Sequence, residues 1–136
     1  MNREAAEALL LARGFTLTAQ RRAILAFLDG NETHPTAAEI FAAVTRDFPM
    51  ASRATVYNTL ALLEESGAVG VLRDSAAEAR FDPNVTHHHH MVCPDCGRIT
   101  DVQPEAVSVL LHGKPALGRV RFETTCTSCV EVGHSL

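Results

Sequence analysis

The chain has 136 residues, a formal net charge of -4 and an apolar share of 46%, which suits one domain or two small ones of an ordinary globular protein. No apolar run approaches the roughly 18 residues of a membrane span, and the N-terminus is charged and helical where a signal peptide would have an apolar core, so a cytoplasmic location without membrane association is expected. The only lysine is Lys114, so contacts to nucleic-acid phosphates have to come from individual arginines and not from a basic field.

The first half reads as four helices with clear punctuation. "REAAEALLLARG" runs to Gly14, and "TAQRRAILAFLDG" runs from a Thr18 cap to Gly30; glycine just past the last turn is the usual stop. In "HPTAAEIFAAV", Thr36 and Glu39 have capping-box spacing, with Ile40, Phe41 and Val44 at helical period behind them. "SRATVYNTLALLEESG" starts at Ser52, places Val56, Leu60 and Leu63 on one stripe, and stops at Gly67.

The period then changes. "AVGVLRD" and "ARFDP" are short apolar runs that predict a β-hairpin. Helices followed by such a hairpin form the plan of a winged helix-turn-helix, in which the helix before the wing enters the major groove. That helix carries Ser52, Arg53, Thr55, Tyr57, Asn58 and Thr59 in its first two turns, all able to reach phosphates or base edges. Arg22 on the second helix is a further candidate for DNA contact. A merely solvated helix face is the competing reading.

Asp82, Pro83 and Asn84 read as a hinge. The predicted division is a winged-helix domain over 1–82, a hinge over 83–85 and a second, smaller α/β domain over 86–136. In the latter the pattern predicts strands at 87–92 and 98–102, a helix at 104–112 and a strand at 119–125. The expected class is therefore α+β.

The second half holds "HHHHMVCPDCG". An internal run of four histidines is not a terminal tag. Cys93 and Cys96, with Cys126 and Cys129, make two Cys-x-x-Cys pairs, which in a cytosolic chain point to a closed, structural zinc site of four thiolates. A thioredoxin-like redox motif would need a helix after the first pair, whereas "GRITDV" is strand-forming. A zinc deaminase would need His-x-Glu and a proline before the first cysteine, and residue 92 is Val. On a strand, His88 and His90 share one face and His87 and His89 the other. If the Cys turn folds the strand back on its neighbour, Asp101 reaches the face of His88 and His90. Nitrogen and oxygen donors without thiolate suit iron(II), manganese or zinc.

Taken together, "GFTLTAQRRAIL", "HPTAAEIF", "ATVYNTLALLEESG", "RFD", "HHHH" before "CPDCG", and "CTSC" resemble the ferric uptake regulator (Fur) family over residues 3 to 129. The resemblance implies a dimeric, metal-responsive repressor of a double-stranded DNA operator, with an N-terminal winged helix and a C-terminal dimerisation domain. It also implies a regulatory site of His34, Asp82, His88, His90 and Asp101 for Fe2+ or Mn2+, beside the structural Zn2+. Aspartates at 82 and 101 are similar to the peroxide-sensing (PerR) branch, which implies Fe(II) as peroxide sensor; an iron or manganese uptake regulator without peroxide sensing is the alternative. A further family site on the other face of the histidine strand lacks a histidine at Gly118, which leaves His87 and His89 as exposed side chains. A metal-dependent hydrolase is set aside, since five candidate ligands leave at most one open position and no separate base is present.

Overall fold

The computed structural model describes residues 1–73, 78–116 and 118–131. It divides into two compact units, Met1–Val85 and Thr86–Leu136.

In the first unit the four expected helices form with the expected caps. Helix α1 is Arg3–Ala12, α2 is Ala19–Leu28, α3 is Ala37–Asp47 and α4 is Arg53–Glu65. Thr18 Oγ1 accepts the Arg21 amide at 3.2 Å, Thr36 Oγ1 accepts the Glu39 amide at 3.2 Å and Ser52 Oγ accepts the Thr55 amide at 3.4 Å, each satisfying a donor that the first turn leaves without an intrahelical partner. Gly14 and Gly67 lie at φ +83° and +78°, the left-handed region where a side chain would be strained.

Leu10, Ile24, Leu25, Leu28, Ile40, Leu60 and Leu63 are the largest apolar side chains buried completely. Burying each is worth roughly 1.5–3 kcal/mol, so this cluster holds the unit together. The surface pair of Arg73 Nη1 and Glu64 Oε1, 2.6 Å apart, adds little by comparison. Strand β1, Gly70–Leu72, pairs antiparallel with β2, Arg80–Asp82, with Val71 opposite Phe81; this is the expected hairpin, and its turn at 74–77 lies outside the described residues. The return strand is also stitched to the segment ahead of α3: the Phe81 amide donates to the Pro35 carbonyl at 2.8 Å, and Thr36 bridges Arg80.

In the second unit β3, His89–Val92, is the centre of a three-stranded sheet, with β4, Ile99–Val102, antiparallel on one side and β7, Arg121–Glu123, parallel on the other. The Cys93–Gly97 turn reverses the chain as expected: the Gly97 amide donates to the Cys93 carbonyl at 2.8 Å, and the Cys93 amide to the Arg98 carbonyl at 2.9 Å.

The helix expected over 104–112 does not form. Pro104–Ala106 makes a single 3-10 turn, and the chain continues as β5, Leu110–Leu111, paired antiparallel with β6, Lys114–Pro115. Two local causes override the apolar spacing. Val107 and Val109 are β-branched and lose rotamer freedom in a helix. His112 and Gly113 both adopt positive φ, 53° and 77°, the pair of conformations that a tight two-residue hairpin turn requires. A short helix α5, Thr127–Glu131, follows Cys126 and has no counterpart in the predicted elements.

Candidate metal centres and nucleic-acid face

The four cysteines come together in the second unit. Their sulfurs all lie within 4.8 Å of one another and all are free thiols. Cys93 and Cys96 stand on the reversal between β3 and β4, Cys126 directly before α5 and Cys129 within it. Cys96 Sγ is 3.7 Å from Cys126 Sγ, far longer than a disulfide bond of about 2.05 Å and close to the roughly 3.8 Å edge of a tetrahedron whose sulfurs sit about 2.3 Å from a zinc ion. The donor set therefore fits zinc and leaves no position for a substrate. The Cys126 amide donates to Cys93 Sγ at 3.3 Å and is the main cause that lowers the Cys93 thiol to about 6. Burial pushes the Cys129 thiol above its ordinary range. Such a cluster gains its full set of thiolates only with a cation to share. Thr125 Oγ1 donates to Asp95 Oδ2 at 3.4 Å, tying the first Cys turn to the strand end that delivers the second pair.

The same sheet carries a second donor set. His90 faces Asp101 in the β3–β4 register, and His88 Nε2 and His90 Nε2 each lie 3.3 Å from Asp101 Oδ1. The two imidazole nitrogens are 3.0 Å apart. His88 Nδ1 lies 2.6 Å from the Thr86 carbonyl; that acceptor requires the proton on Nδ1, so the Nε2 lone pair is turned toward Asp101 and His90. Both histidines are buried. Two neutral nitrogens and one carboxylate oxygen on one face fit a divalent cation of intermediate hardness.

In the first unit His34 and Asp82 are likewise brought together, with His34 Nε2 3.5 Å from Asp82 Oδ2 and both side chains almost fully buried. The positions follow from the stitching of β2 to the segment before α3. Arg80 Nη1 donates to the His34 carbonyl at 3.1 Å, and the Asn84 amide donates to Asp82 Oδ1 at 2.9 Å, which leaves Oδ2 toward His34. His34 takes φ 54°, uncommon for a residue with a side chain. The supporting roles of Arg80, Asn84 and Thr86 escaped the sequence reading, because backbone contacts of this kind leave no spacing signal.

The other face of the histidine strand differs from expectation. His87 is exposed, but His89 is buried, and its Nδ1 accepts the Val120 amide at 3.0 Å. It packs edge-on against His87 at 5.3 Å between ring centroids. The parallel pairing of β7 beside β3 brings the preceding residue, Val120, next to the histidine strand and so offers His89 a backbone donor.

Of the residues read as a DNA face, Ser52, Arg53, Tyr57 and Asn58 are exposed at the start of α4, Thr55 is half-buried, and Arg22 is exposed on α2 with Nε directed at the Leu17 carbonyl at 3.5 Å. Thr59 is buried, and its hydroxyl donates to the Thr55 carbonyl at 2.7 Å, so it faces the core and not solvent. The Arg53 guanidinium lies over the Phe41 ring, 4.5 Å from its centroid. Among the described residues no helix is long and apolar enough to cross a membrane.

Comparison with known proteins agrees with this architecture. The peroxide-responsive repressor PerR of Staphylococcus aureus (strain Mu50) is 44% identical over 90 residues, a match that covers 66% of this chain and 61% of the relative. The Helicobacter pylori ferric uptake regulator Fur superposes with a TM-score of 0.73 at 21% identity, covering 98% of this chain and 97% of that one, which is a likeness of fold. PerR from Streptococcus pyogenes superposes with a TM-score of 0.54 at 25% identity over 93% of this chain and 92% of that one. The model of the ferric uptake regulator family matches residues 12–116, and the chain belongs to that family.

Proposed function

We propose that the chain is a metal-dependent, dimeric DNA-binding repressor that senses peroxide. The observation that carries this reading is the convergence of the buried His88 and His90 with the half-buried Asp101, 3.3 Å from imidazole nitrogen to carboxylate oxygen, in a chain whose relatives include a peroxide-responsive repressor. Residues 1–82 serve as the winged-helix domain, 83–85 as the hinge and 86–136 as the dimerisation and metal-binding domain.

Four thiolates, Cys93, Cys96, Cys126 and Cys129, hold a structural Zn2+ and stabilise the second domain. His34, Asp82, His88, His90 and Asp101 make up the regulatory set for Fe2+ or Mn2+. When bound there, ferrous iron supplies a one-electron reductant for hydrogen peroxide, whereas manganese supplies the charge with little of that reactivity. The chain's own part is to present imidazole nitrogens and two carboxylates as donors. His88 is oriented by the Thr86 carbonyl and Asp82 by the Asn84 amide, and such outer partners keep ligands in their productive tautomer and rotamer. Since the donors come from both sides of the hinge in the sequence, a cation prefers the arrangement that offers them all, and that preference shifts the population toward the DNA-binding form. Ser52, Arg53, Thr55, Tyr57 and Asn58 at the start of α4, with Arg22, then meet the operator in the cytoplasm.

The test is metal analysis after expression in defined medium, joined to DNA binding with and without MnCl2 on a duplex selected from a random pool by the manganese-loaded protein. Manganese-dependent binding that vanishes in His88→Ala supports the reading. Binding indifferent to the metal overturns it. Manganese-dependent repression that peroxide leaves intact in the iron form assigns the chain to metal uptake control.

A further inference from the structure

We propose that Phe41 is a positioning residue for operator binding: its ring holds the Arg53 guanidinium where it meets a DNA phosphate. The inference rests on the DNA-binding reading above and deepens it.

Arg53 opens α4, and a cation in the first turn opposes the helix dipole, whose positive end lies there. Neither capping nor helix electrostatics therefore accounts for arginine at this position. Among the described residues it has no carboxylate partner, and its side chain is exposed. Its attractive contact is the Phe41 ring at 4.5 Å, within the range of a cation–π interaction. Phe41 is itself fixed: it lies on α3, half-buried against the cluster that includes Ile40, Val44 and Val56. The ring thus acts as a rigid shelf under a long, flexible cation.

A guanidinium carries five N–H donors, and a single ring 4.5 Å away cannot occupy them all, so donors remain from which a phosphate oxygen accepts. An arginine already restricted to one orientation loses less freedom when the phosphate arrives. Tyr57 stands one helical turn further on, also exposed, so the two side chains share a face of α4.

The experiment uses the full-length protein loaded with MnCl2 and the duplex it selects from a random pool, with affinity followed by fluorescence anisotropy over a range of salt. Wild type is compared with Phe41→Leu, Phe41→Tyr, Arg53→Ala and the double variant Phe41→Leu/Arg53→Ala. Phe41→Leu is expected to weaken binding about two- to fivefold, the range a stacked, exposed cation supports, and Phe41→Tyr to restore it. Arg53→Ala is expected to reduce the dependence of log affinity on log salt by about one. In the Arg53→Ala background Phe41→Leu should have no further effect. Equal weakening with and without Arg53 would assign Phe41 to core packing and overturn the proposal, as would an unchanged Phe41→Leu affinity. If the wild-type protein selects no duplex, the DNA-binding reading itself falls, a result separate from either of these.

Discussion

His90 and Asp101 face each other across the β3–β4 pairing, with His90 Nε2 3.3 Å from Asp101 Oδ1. His88 closes on the same oxygen from two residues earlier. One carboxylate thus serves two imidazoles, and removing it leaves two neutral donors without the charge that favours a cation. Asp101→Ala is expected to lower Mn2+ affinity at least about tenfold, the lower end of what loss of a metal-supporting partner costs, while zinc content stays unchanged. Titration calorimetry with MnCl2 and elemental analysis check both halves; wild-type manganese affinity in the variant would exclude Asp101 from the site.

Cys96 is the one exposed residue among the four cysteines, so its replacement creates no core cavity and isolates the ligand effect. Cys96→Ser is expected to lower the zinc held per chain and the melting temperature of the second unit, because metal binding free energy is folding free energy in small sites. Zinc quantified before and after mild chelation, alongside thermal unfolding, tests this. A variant that keeps its zinc and its stability would sink the four-thiolate assignment.

Thr36 caps α3 through the Glu39 amide at 3.2 Å and lies two residues after His34. Thr36→Ala is expected to cost about 1 kcal/mol, seen as a lower midpoint in urea with an unchanged slope. Stability equal to wild type would show that the cap contributes nothing here.

Arg53 and Tyr57 are exposed on α4 and lie outside both donor sets. Arg53→Ala and Tyr57→Ala are expected to weaken operator binding without changing metal content or dimerisation. Wild-type affinity in both would mean that another surface meets the DNA.

On the proposed function, peroxide chemistry is expected to separate the iron form from the manganese form. Brief exposure of the iron form to low hydrogen peroxide is expected to add one oxygen to a peptide containing His34 or His88, with loss of DNA binding, because an oxidised imidazole is a poorer donor. The manganese form should resist. Peptide mass spectrometry of both forms decides; oxidation confined to cysteines, or equal in the two forms, would favour a plain uptake regulator.

Much of this protein is legible in its sequence because the signals are local. Caps at Thr18, Thr36 and Ser52 and stops at Gly14 and Gly67 act within a turn or two of the chain, and strand alternation alone puts His88 and His90 on the face of Asp101 once the Cys turn reverses. What tertiary structure decided depends on neighbours far away in sequence or on competition between local preferences. The 104–112 segment has helical spacing, yet two adjacent positive-φ residues, His112 and Gly113, favour a hairpin. His89 looks like a solvated histidine until β7 pairs in parallel with β3 and brings the Val120 amide to its ring. Thr59 looks like part of a polar helix face until the packing of α4 turns it inward against the Thr55 carbonyl. The stacking of Arg53 on Phe41 joins two helices across a gap in sequence. Periodicity encodes which residues face inward on an isolated element, but the partner each of them meets is set only when the elements pack, because burial and hydrogen bonding depend on what covers the face.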